Sequence, residues 1–115
     1  MDLKEIYTQI NGNYDEVMGR LMKEERVLKY LRKFVDNTDY ESFNTSYGAE
    51  DWETAFRAIH SIKGMGLNLS ITKMAELGSD VCEEVRNGAP QRDITGMVED
   101  FRREYEAVME VLKTL

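Results

Sequence analysis

Apolar residues along this chain recur at intervals of three and four, the spacing of one face of an α-helix, and nowhere alternate convincingly with polar residues as in a half-buried strand. The pattern predicts an all-α protein. A short helix over about Leu3–Ile10 stops at Asn11-Gly12, and Asn13 followed by Glu16 has the form of a capping box opening a second short helix. Val27, Leu28, Leu31, Phe34 and Val35 mark the next segment, which Asp36-Asn37 ends. Thr38 and Glu41 suggest another capping box, for a helix with Tyr40, Phe43 and Tyr47 on its buried side and Gly48 at its close. Asp51 is the expected N-cap of a longer helix, whose apolar stripe runs through Trp52, Ala55, Phe56, Ile59, Ile62, Gly66 and Leu69. Ser70 is placed to cap a helix with Met74, Leu77, Val81 and Val85 on one face, before Asn87-Gly88-Ala89-Pro90 stops it. Asp93 starts the last and most clearly amphipathic helix, through Ile94, Met97, Val98, Phe101, Tyr105, Val108 and Leu112. Short connections between three or four long helices imply antiparallel neighbours in an up-and-down bundle.

Size and charge narrow the picture further. At 115 residues and 42% hydrophobic content the chain is expected to form a single domain over residues 1–115 with its own core. No apolar run approaches the ~20 residues of a membrane span, and Met1-Asp2-Leu3-Lys4-Glu5 lacks the layout of a signal peptide. The lone Cys82, at an apolar-periodic position, reads as a small buried side chain in a reducing setting, and a soluble, cytoplasmic protein is expected. The net charge of -7, with no lysine-rich run visible as an exception, argues against nucleic acid and anionic lipid as partners.

The candidate chemistry lies at the only histidine, His60, inside the helical pattern beside Gly64 and Gly66. A glycine in a helix interior is worse than alanine by roughly 1 kcal/mol, so both call for a reason. Gly64, one turn after His60 on the same side, would leave the imidazole edge uncovered, and Gly66, on the apolar stripe, fits close helix packing. At ~100° per residue, His60 projects about 80° to 120° from the middle of that stripe and should be at least partly wet. Lys63 follows one turn on, so an oxyanion attached to the ring would meet its ammonium. A neutral imidazole has a ring nitrogen lone pair able to attack phosphorus. Since phosphoryl transfer asks a protein mainly to position the group and offset its charge, this constellation suffices when the partner brings the metal.

Competing chemistry finds less support. A metal centre in a bundle needs several converging ligands, typically Glu-x-x-His pairs, and Arg57 stands where that glutamate would be. Ser61 points about 100° away from His60 and is not placed as its nucleophile. Gly64-Met65-Gly66 lacks the strand and third glycine of a nucleotide loop. The other reading left open is a non-catalytic helical adaptor that docks a partner through the glycine-lined face, with His60 incidental.

The run from Ala58 to Ser70, which includes His60-Ser61-Ile62-Lys63-Gly64 and Asn68-Leu69, follows Asp51-Trp52-Glu53-Thr54-Ala55-Phe56-Arg57. It resembles the signature of the histidine phosphotransfer (HPt) domain family, His-x-x-Lys-Gly with a downstream Asn-Leu. The resemblance implies a four-helix bundle with short additional N-terminal helices. It further implies a histidine-containing phosphocarrier of a multistep phosphorelay, whose His60 accepts a phosphoryl group from a receiver-domain aspartate and passes it to another receiver. Lys63 would steady the phosphoryl oxygens and Gly64 would admit the receiver's loops. Phe56, Arg57, Ser61 and Leu67, near His60 by helix geometry, are the expected docking residues. The implied partners are response-regulator receiver domains and a hybrid histidine kinase. With no room for an ATP-binding kinase domain, the chain reads as a carrier and not a kinase. No cofactor is assigned, Mg2+ belonging to the receiver, and a monomer is expected. Many family members carry glycine where this chain has Ser70, and a serine cap on the following helix would preserve the loop.

Overall fold

The computed structural model describes residues 1–115. Seven helices, with no strand, follow one another: α1 (Leu3–Gln9), α2 (Tyr14–Leu21), α3 (Glu24–Val35), α4 (Asp39–Gly48), α5 (Trp52–Asn68), α6 (Thr72–Val85) and α7 (Thr95–Leu112). The order and number match the segments marked out by apolar period. Helices α4 to α7 form an up-and-down four-helix bundle in which α5 packs most extensively on α6 and α4, and α6 on α7. Aromatic rings close the bundle between its first and last members: Tyr40 stacks on Tyr105 at 3.8 Å and 9°, and Phe43 meets Phe101 edge-on at 5.9 Å. The three N-terminal helices are the short additional elements, and their buried Ile6, Tyr7, Val17, Leu31 and Phe34 join the same core as Ile59, Ile62 and Phe101.

Local polar chemistry sets the helix starts, not always through the expected side chain. Asn13 and Asp51 cap α2 and α5 by accepting from the N–H groups of Glu16 and Thr54, and Asp93 accepts from Thr95 N–H at 2.9 Å. Thr38 makes no capping bond. The carboxamide of Asn37, one residue earlier, accepts instead from the N–H groups of Asp39 and Tyr40. Nor does Glu16 complete its capping box; its carboxylate accepts from the Ser70 hydroxyl at 2.7 Å, an alternative that tertiary structure provides.

Helix α5 ends in a way that corrects the expectation for Ser70. Ser70 does not cap α6, whose N-cap is Ile71. It sits instead at φ +55°, in the left-handed region, while its N–H donates to Leu67 O and the Ile71 N–H to Gly66 O. This is a Schellman closure, which glycine occupies most easily because it has no Cβ to clash. Serine here carries about 1 kcal/mol of backbone strain and offsets it with a buried hydroxyl that joins Glu16 to Arg20. Glu50 and Asn11 close α4 and α1 in the same manner, so the left-handed residue after α4 is Glu50, two positions beyond Gly48.

The two glycines flanking Met65 have opposite surroundings. A Cβ on Gly66 would come within 2.9 Å of Met74 Cε and 3.1 Å of Ala75 Cβ, whereas one on Gly64 would meet nothing within 4 Å. Gly66 therefore lets α6 approach α5, and Gly64 does nothing for packing. In urea unfolding, Gly66→Leu should lower stability by about 1–3 kcal/mol through overpacking, and Gly64→Ala should raise it by up to about 1 kcal/mol through helix propensity. The reverse signs would contradict this placement of the helix face.

Candidate functional site

His60 is exposed on α5, on the flank away from the core. Two contacts fix its ring. Phe56, one turn earlier, stacks against it with centroids 5.5 Å apart and planes 24° apart, and Cys82 Sγ of α6 lies 4.0 Å from Nδ1. Nδ1 thus faces the buried side, and the opposite edge, bearing Nε2, is the one a partner could reach. Arg86, one turn beyond Cys82 on α6, places its guanidinium 5.2 Å from the centroid of Phe56 while pairing with Glu83 at 2.6 Å. The pairing holds the Glu83 carboxyl below its ordinary range.

Lys63, half-buried, continues the same flank, and its charge is felt at Cys82. Burial is the dominant influence on that thiol and pushes its pKa up, while the Lys63 and Arg86 cations pull in the opposite direction. Lys63 enters no ion pair, its ammonium having no carboxylate of the chain within ion-pair distance. Beyond it, the open space at Gly64 and the 54% exposed Leu67 leave low ground along the helix.

The remaining residues singled out from the sequence divide. Arg57 is exposed and pairs loosely with Glu53 at 3.6 Å, and Phe56 supports the imidazole directly. Ser61 turns toward α4, where its hydroxyl donates to Asp39 at 2.7 Å, so this side chain links two bundle helices and stands apart from the His60 flank. Cys82 and Arg86 were missed. Their helical spacing of four on α6 hints that they share a face, but only the register of α6 against α5 decides that this face meets His60. No group of three or more His, Cys, Asp or Glu is gathered where it could hold a metal ion.

Residues 29–114 match the family model of the Hpt domain, which covers most of α3 and all of the four-helix bundle. The chain belongs to the Hpt domain family. Hpt domains serve histidine phosphotransfer in phosphorelays and interact there with receiver domains and kinases. Searches of curated proteins and of solved structures return no significant match. The match begins inside α3, so α1, α2 and the first turn of α3 of this Hpt protein lie outside it.

The placement of Cys82 behind His60 can be checked chemically. With its sulfur fully buried and its thiol held protonated, a disulfide reagent at neutral pH should react with the folded protein at least about 100-fold more slowly than with the unfolded chain. Comparable rates would put the thiol at the surface and remove it from behind the imidazole.

Proposed function

We propose that the chain is the phosphocarrier of a multistep phosphorelay, taking a phosphoryl group on His60 from a receiver-domain aspartate and passing it to another receiver. The observation that carries this reading is the exposed flank of α5. It presents the only histidine of a chain in a histidine phosphotransfer family beside a glycine whose Cβ position opens onto free space. The lone pair of Nε2 attacks phosphorus, the P–O bond to the aspartate carboxyl breaks, and the carboxylate leaves. Return of the group to a second aspartate runs the same exchange in reverse. In this reading Nδ1 carries the proton, toward Cys82 Sγ 4.0 Å away, and the lone pair stands on the outward nitrogen.

Lys63 supplies positive charge where the transferring oxygens accumulate negative charge. Phe56 stops the ring from rotating out of line. The receiver approaches over Gly64, with Leu67 and Arg57 at the margins of the contact. No helix is long and apolar enough to cross a membrane, and the setting proposed is cytoplasmic, with residues 1–115 acting as one monomeric domain. The carrier needs no ATP site of its own because the phosphoryl donor is the partner.

Incubation with a phosphorylated receiver and Mg2+ should place acid-labile, base-stable phosphate on the wild type and none on His60→Gln. Gly64→Gln should slow transfer by about 10-fold to 100-fold, since small displacements of reacting groups have effects of this size, with His60 itself intact. Label on His60→Gln would overturn the site. No label on the wild type with any receiver would favour a docking adaptor without chemistry.

A further inference from the structure

The acidic total hides an uneven charge distribution. Six of the 15 basic residues and only two of the 22 acidic ones fall in residues 20–33, a local +4 within a net -7, so the rest of the chain carries -11. Inside that stretch Lys23, Arg26, Lys29, Arg32 and Lys33 lie on or next to α3, and none is within ion-pair distance of a carboxylate. The six arginines outside α3 are all paired. An acidic protein with many carboxylates to offer thus leaves its densest group of cations without partners.

One of these cations, Lys33, lines an apolar groove, and Lys29 reaches it through the ring of Tyr30. The groove's volume is about 410 Å3, and Leu21, Tyr30, Lys33, Met65, Asn68 and Leu69 are among its walls. Tyr30 is 39% exposed, with the ammonium groups of Lys33 and Lys29 at 5.4 and 5.9 Å from its ring centroid. On the α5 side of the groove, Asn68 follows Gly64 by four residues, as Gly64 follows His60, so the edge of the groove lies on the same side of the helix as the phosphoryl-accepting flank, two turns along. An apolar floor with a cationic rim, in which Lys33 is unpaired and Arg20 is held by Glu16, is the anatomy of a protein interface in which charge guides the approach.

We infer that the α3 cation row and this groove select the receiver, taking an acidic surface of that domain beside its phosphorylated aspartate. The inference rests on the phosphocarrier reading and adds the part of the molecule that distinguishes one receiver from another. Charge complementarity commits the surface to a compact acidic protein. The row spans only about 15 Å of helix, and a long polyanion lying across it would run into the surrounding -11.

The test compares the wild type with Lys29→Glu/Lys33→Glu, two exposed positions that leave the buried Val27, Leu31 and Phe34 untouched. Each protein is phosphorylated by receiver domains from the same genome, loaded with acetyl phosphate, and separately by phosphoramidate, a donor too small to touch α3. With the receiver, the double variant should lose about tenfold or more in kcat/KM with kcat nearly unchanged, and the salt dependence of the wild-type rate should flatten. With phosphoramidate the two should label at equal rates. Equal transfer from every receiver with unchanged salt dependence would overturn the inference and leave the phosphocarrier reading standing. So would a defect that also appears with phosphoramidate, or one explained by lost self-association or lost duplex DNA binding. A wild type labelled by phosphoramidate but by no receiver would overturn both readings.

Discussion

The last carbonyls of a helix have no partners within it, and at the C-terminal end of α5 the Schellman closure answers those of Met65 and Gly66, while the N-terminal segment answers Leu67, Asn68 and the two carbonyls that follow. Arg20 Nη1 donates to Leu67 O, Asn68 O and the Ser70 hydroxyl at 3.2, 2.8 and 3.0 Å. Tyr7, whose buried phenol is pushed well up by desolvation, donates to Leu69 O at 2.7 Å. The N–H of Asn13 donates to Ser70 O at 2.9 Å, and a Cβ on Gly12 would come within 2.7 Å of that same oxygen. A guanidinium at this end also complements the negative pole of the helix. This junction ties the end of α5 to the N-terminal helices, while the packing of α5 on α6 and α4 sets its course through the bundle.

Along α5 two requirements alternate. One side comes close enough to α6 to exclude side chains, which Gly66 allows, and the other stays low and open at Gly64, where the proposed reading brings in the receiver. The imidazole sits between them, braced by Phe56 and Cys82 from the core side and bare on the other. The imidazole is thus held at the surface of a small bundle that has no buried unsatisfied side-chain polar atom, and in the phosphocarrier reading proposed above it needs no enclosed cavity of its own.

What could be read from the sequence was what depends on near neighbours. Seven helices, their order and most of the core follow from a three-and-four period and from caps such as Asn13 and Asp51, all local features. His60 beside Gly64 was legible for the same reason. Ser70 was misread because a serine gives no outward sign that its backbone is left-handed, and the partners that stabilise it there, Glu16 and Arg20, are about fifty residues away. Ser61 could be placed around the helix axis but not assigned its acceptor, Asp39, without the packing of α4. Cys82 was correctly taken as buried, while its position behind the histidine needed the α5–α6 register. The net charge of -7 masks the local +4 of residues 20–33, which the sequence does show, whereas the lack of ion pairs for the α3 cations depends on which carboxylates the fold brings near.

The junction at the end of α5 also separates two kinds of boundary. Likeness to other Hpt domains begins at residue 29, partway along α3, yet Tyr7, Asn13 and Arg20 supply the donors that finish the histidine helix. A fragment starting where the likeness starts would leave Leu69 O and Ser70 O without those donors and uncover the part of the core that Ile6, Tyr7 and Val17 close. The hydrogen-bonded unit is therefore larger than the stretch that the family model matches. The first twenty residues and the end of the helix that carries His60 share these bonds, so loss of the one withdraws support from the other.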